Sequence, residues 1–140
     1  MSSGVALDPK CVEEFNDFKL KGKYRYILYK MADDLKSVVV EKTAPPEKTY
    51  DDFLAELPAD DCRYATVMYH YDQGGDGIRE KVIFVVWAPE TARIKSKMLY
   101  ASTKDTIKRA FVGISIEIQG TDKSEVDSAV VLEKCKSVSK

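Results

Sequence analysis

Lys81-Val-Ile-Phe-Val-Val-Trp-Ala-Pro89, with the stretch from Thr91 to Phe111 that follows it, decides the architecture. Val82 to Trp87 is a continuous apolar run stopped by Ala88-Pro89. Such a run reads as a strand buried on both faces, hence one inside a sheet. Thr91 to Phe111 reads as one long helix, ended by Gly113. At about 100° per residue, Leu99, Thr103, Ile107 and Ala110 share a face, with Tyr100 and Phe111 beside them. That face fits a sheet. Ile94, Met98 and Ala101 fall nearly opposite. Lys97, Asp105 and Lys108 lie on or beside this second face, and Lys95 at its other flank. A surface helix needs one apolar stripe. A second stripe framed by lysines has two readings. It is a partner-binding surface, or it covers a loop or the chain's own N-terminus.

Working outward, Asp8-Pro9 reads as an N-cap and first helical position, and Gly22 ends that helix. Tyr24 to Met31 and Ser37 to Lys42 read as a hairpin turned at Asp33-Asp34. Thr49 with Asp52 resembles a capping box for a short helix through Leu57. Arg63 to Tyr71 pairs with Lys81 to Trp87 across a glycine-rich turn at 73–77. After the long helix, Ile114, Ile116 and Ile118 alternate with polar residues, as in a half-buried strand. Asp122 with Glu125 opens a last helix reaching Cys135. The pattern predicts a mixed α/β sheet of about five strands with helices packed on it. Residues 1–7 read as a flexible tail, 8–136 as one domain and 137–140 as a short tail.

A chain of 140 residues fits a single domain with one core. A net charge of −1 argues against a general nucleic-acid binder. Cys11, Cys62 and Cys135 are widely spaced, with no CxxC pair, which fits free thiols in a reducing compartment. The start lacks the pattern of a secretory signal, and the longest apolar run is too short to span a bilayer. His70, the only histidine, reads as a structural strand residue. GxSxG and GxxxxGK[ST] are absent, and no metal or cofactor site is expected. The residues therefore point away from an enzyme.

Trp87-Ala-Pro-Glu-Thr-Ala92 and Lys95-Ser-Lys-Met-Leu-Tyr-Ala-Ser-Thr-Lys-Asp105 strongly resemble the motif block of the actin-depolymerising factor/cofilin family. Ser3-Gly-Val-Ala6, Tyr50-Asp-Asp-Phe53, Leu57-Pro58, Asp61-Cys-Arg-Tyr-Ala65 and Gln119-Gly-Thr-Asp122 match in family order. The resemblance implies a mixed sheet of five or six strands flanked by helices on both faces. It also implies a protein that binds actin monomers and filaments and severs or depolymerises the filaments.

By position, the resemblance assigns Ser3, Gly4, Val5, Ile94, Lys95, Lys97 and Met98 to contact with both monomer and filament. It assigns Arg79, Lys81, Glu133, Lys134 and Lys136 to a filament-specific surface. Ser3 matches a regulatory phosphorylation site. Lys95, Lys97, Lys104, Lys108 and Arg109 are candidates for phosphoinositide lipids. A monomeric, cytoplasmic protein of the actin cytoskeleton is implied, while the basic run that vertebrate members use for nuclear entry is replaced by Met31-Ala-Asp-Asp-Leu-Lys36. Val67-Met68-Tyr69 stands where many members have Tyr-Asp-Phe. Two alternatives stand beside this reading: a coactosin-like module of the same fold that decorates filaments without severing them, and a phosphoinositide-binding adaptor.

Overall fold

A computed structural model describes residues 4–138 apart from 73, 74 and 76. The elements run β1 (Ala6–Leu7), α1 (Pro9–Lys21), β2 (Tyr26–Met31), β3 (Ser37–Ala44), α2 (Tyr50–Glu56), β4 (Arg63–Asp72), β5 (Ile78–Trp87), α3 (Ile94–Ala110), β6 (Ile116–Gly120), a 3-10 turn (Lys123–Val126) and α4 (Ser128–Val138). The six strands form one mixed sheet in the order β1-β3-β2-β4-β5-β6. Its central pairs are antiparallel, and the edge pairs β1–β3 and β5–β6 are parallel.

The apolar run lies where its composition directs it. β5 is an interior strand between β4 and β6. Val82, Phe84 and Val86 point into one core, and Ile83, Val85 and Trp87 into the other. α1 and α3 cover the first face through Cys11, Phe15, Phe18, Tyr100, Ile107 and Phe111. Phe15 and Phe111 stack at 4.4 Å between centroids, an aromatic contact of about 1 kcal/mol beyond its buried area. α2, the 3-10 turn and α4 cover the other face through Phe53, Val126, Val131 and Cys135.

The helix ends follow local chemistry. The Asp8 side chain accepts a hydrogen bond from Lys10 N, Pro9 opens α1, and Gly22 closes it at φ 62°, a conformation nearly free of strain for glycine. Thr49 and Asp52 close a reciprocal capping box on α2. α3 has no side-chain cap and begins at Ile94, three residues later than the pattern predicts. The Thr91 hydroxyl donates instead to Ala59 O at 2.8 Å.

Three further differences stand out. Ala6 and Leu7, expected within a flexible tail, pair with Ser37 and Val38 in β3, and Val5 is buried. The last helix is split at Asp127 into the 3-10 turn and α4. β5 begins three residues earlier than expected, at Ile78. β2 pairs with β4 only as far as Val67, and β6 pairs with β5 only from Ile83 onward. Tyr69–Asp72 and Ile78–Lys81 therefore form a two-stranded arm that projects past both neighbouring strands.

Candidate protein-binding site

The two stripes of α3 separate as the periodicity predicts. Tyr100, Thr103 and Ile107 are buried, and Leu99 and Ala110 pack beside them. Tyr100 holds the helix to the sheet: its hydroxyl accepts from Met31 N at 2.8 Å, while the Tyr64 hydroxyl donates to Tyr100 O. On the outer side Ile94 is 72% and Met98 67% exposed. They line a shallow apolar depression with Lys95, Leu99 and Ser102. Ile94 and Met98 thus remain open to solvent, which decides against the stripe covering a loop among the described residues.

Charge frames this patch unevenly. Lys95 is exposed, while Lys97 is half-buried and donates to Glu90 O at 3.1 Å. Lys104 and Lys108, placed by the sequence among the candidate lipid cations, turn to Glu117 on β6 at 3.0 and 2.5 Å. Burial pushes the Glu117 carboxyl up, but hydrogen bonds from Lys108, Gln119 and Lys104 outweigh this and hold it down to about 2. These two lysines are thus partly neutralised, and Arg109 remains exposed near them.

At the N-terminus, Ser3 lies outside the described residues. Gly4 is exposed at φ 83°. Val5 belongs to the core beneath α1 and α3, so its side chain does not form part of an outer contact surface in this conformation.

The filament-side candidates fall on two adjacent elements. Arg79 and Lys81 lie on the arm, opposite Tyr71 and Tyr69 across the β4–β5 ladder. Tyr69 donates to or accepts from Ser128 Oγ at 2.8 Å, tying the arm to the start of α4. Glu133, Lys134 and Lys136 are exposed on α4, where Glu133 and Lys134 border a shallow depression with Ala129 and Val130. Burial raises the Cys135 thiol against the opposing charge of Lys81, which puts Lys81 within electrostatic reach of that helix.

His70 sits on the arm's other face. Its Nε2 lies 2.9 Å from the Glu80 carboxylate. Its Nδ1 meets the Arg25 guanidinium, which also donates to Pro46 O at 2.8 Å and Met68 O at 3.3 Å. The histidine braces the arm, in line with the structural role read from the sequence, though through side-chain partners that sequence spacing does not reveal.

An exposed apolar stripe at a helix start, framed by cations, above a six-stranded sheet covered on both faces describes a protein-binding domain. Comparison with known proteins says which. The family model for the cofilin/tropomyosin-type actin-binding protein matches residues 4–136. Cofilin-1A of Dictyostelium discoideum is 46% identical over 138 residues, covering 99% of this chain and 100% of the relative. Actophorin of Entamoeba histolytica is 49% identical, with 99% of each chain covered. The crystal structure of Streptomyces griseoflavus cofilin superposes with a TM-score of 0.89 at 44% identity, covering 96% of this chain and 98% of that one. The chain belongs to the actin-depolymerising factor/cofilin family and is an actin-binding protein of that class.

Proposed function

We propose that the protein binds actin monomers through the start of α3 and binds filaments through a second surface on the β4–β5 arm and α4, and that it severs and depolymerises filaments. The exposure of Ile94 and Met98 on a helix fixed to the sheet carries this reading. Apolar anchors that become fully desolvated dominate affinity, while rim cations such as Lys95 set rate and orientation. The cofilin and actophorin names of the full-length relatives support it. Severing needs no catalytic group. A ligand that binds one filament conformation better shifts the filament toward it.

The test is high-speed sedimentation with actin filaments, with Lys95→Ala/Lys97→Ala run beside wild type. Wild type is expected to co-pellet and to move actin into the supernatant, and the double variant to lose both activities. Co-pelleting without loss of filament mass would favour the coactosin-like alternative.

Two regulatory features belong to the same proposal. Phosphate on Ser3 adds between one and two negative charges to a tail that enters the sheet at Ala6, and it lowers actin affinity. A Ser3→Glu variant that binds monomers as tightly as wild type would refute this. Phosphoinositides compete for Lys95, Lys97 and Arg109 more than for Lys104 and Lys108, which Glu117 already engages. Vesicle co-sedimentation of single alanine variants separates the two groups.

A further inference from the structure

The filament-side residues expected from sequence are all charged, and charged rims alone rarely anchor an interface. Among the described residues the large apolar side chains most open to solvent include Ile94 and Met98 on α3 and one on the arm, Ile78, at 71% exposed. A lone exposed isoleucine is ordinary. This one differs in its position. It opens β5 at the outer end of the arm, next to Arg79 and across the ladder from Asp72. The strand rise sets side chains on alternate faces, so Ile78 and Glu80 share the face opposite Arg79 and Lys81. A partner that reaches both faces must receive the arm in a cleft.

The arm is braced on both faces. An isolated pair of strands is only marginally stable. Here one face is held to α4 by Tyr69, and the other is braced by the Arg25–His70–Glu80 chain. Ile78 is itself β-branched, with few rotamers to lose on burial.

We infer that Ile78 is the apolar anchor of the filament-side surface, seated in an apolar depression of the neighbouring actin subunit. The inference rests on the filament-side reading of the arm given above. The receiving cleft has a basic group facing Asp72 and Glu80 on one wall and acidic groups facing Arg79 and Lys81 on the other. Monomer binding, made through α3, does not use this anchor.

Three variants decide the matter: Ile78→Ser, Ile78→Leu and Arg79→Ala/Lys81→Ala. Each is measured for co-sedimentation with filaments and for binding to fluorescently labelled monomers, with thermal melting as the check on folding. Ile78→Ser is expected to weaken filament binding about tenfold, from the apolar area it no longer buries, and to leave monomer affinity unchanged. Ile78→Leu restores filament binding. If Arg79→Ala/Lys81→Ala weakens filament binding and Ile78→Ser does not, the anchor is refuted while the filament-side reading stands. If neither weakens it, that reading falls and takes the anchor with it. Equal losses for monomer and filament with Ile78→Ser also refute a filament-specific anchor.

Discussion

The start of α3 and the β4–β5 arm both present apolar side chains beside cations, yet they are supported in different ways. α3 lies along a complete sheet, and its inner stripe is bonded to β2 and β4 through Tyr100 and Tyr64. The arm has lost its flanking strands and is held by side chains alone: Tyr69 on Ser128, and His70 between Arg25 and Glu80. The first surface inherits the rigidity of the core. The second rests on a few polar contacts and on Tyr69 and Tyr71, which pack into the edge of the core on the α4 side. Stability and binding should therefore be coupled differently at the two places.

The largest effect tests the core's support. Ile107→Ala is expected to cost about 3 kcal/mol in stability by denaturant unfolding, because Ile107 is fully buried under α3. The fraction that remains folded should still bind monomers, since the outer stripe is intact. Next in size is Ile94→Ser/Met98→Ser. Monomer affinity should fall about a hundredfold, with a change in melting temperature of no more than a degree or two. A large loss of stability instead would mean that the outer stripe is structural and would erase the distinction between the two faces of the helix.

Arg25→Ala addresses the arm. Amide exchange at His70 and Tyr71 should quicken about tenfold and filament affinity should drop a few-fold, with monomer affinity unchanged. Unaltered exchange would show that the packing of Tyr69 and Tyr71 holds the arm without the arginine. The smallest effect concerns Glu117. Its carboxyl is held below the ordinary 4.5, at about 2, so its stabilisation is fully present above pH 4.5 and is lost as pH falls through 2. Since its lysine partners are partly exposed, Glu117→Gln should cost only about 1 kcal/mol at pH 7, and the cost should vanish only once the pH is well below the folded value of about 2. The same substitution releases Lys104 and Lys108 and should modestly raise affinity for anionic vesicles.

Much of this was legible in the residues. The division of α3 into two stripes follows from spacing alone, and the structure keeps it residue by residue from Leu99 to Phe111. The Val82–Trp87 run named its own place inside the sheet. The caps at Asp8 and Thr49 were readable because their partners lie two or three positions away. What escaped depends on distant contacts. Ala6–Leu7 is too short for a strand pattern and exists because β3 offers a parallel partner. Lys104 and Lys108 looked free on a helical wheel, which omits Glu117 on the next strand. Ile78 lies between the glycine-rich turn at 73–77 and the strand read from Lys81, and the charged run Arg79-Glu80-Lys81 breaks the apolar pattern that would have joined it to β5.

The order of strands also bears on how the chain acquires its fold. The two inner hairpins, β2–β3 and β4–β5, join neighbours in sequence and close short loops. The parallel partners at the edges come from far apart: Ala6 meets Ser37 only after α1 has been laid across the sheet, and Ile83 meets Ile116 only after α3 has. Parallel pairs of this kind carry a larger loop-closure cost. The hairpins are thus positioned to form early and the edges to lock late, with β1 and β6 acting as the closing steps of assembly. The stretch from Gly4 to Leu7, which leads the tail into β3, would then become ordered only when the rest of the domain is already in place.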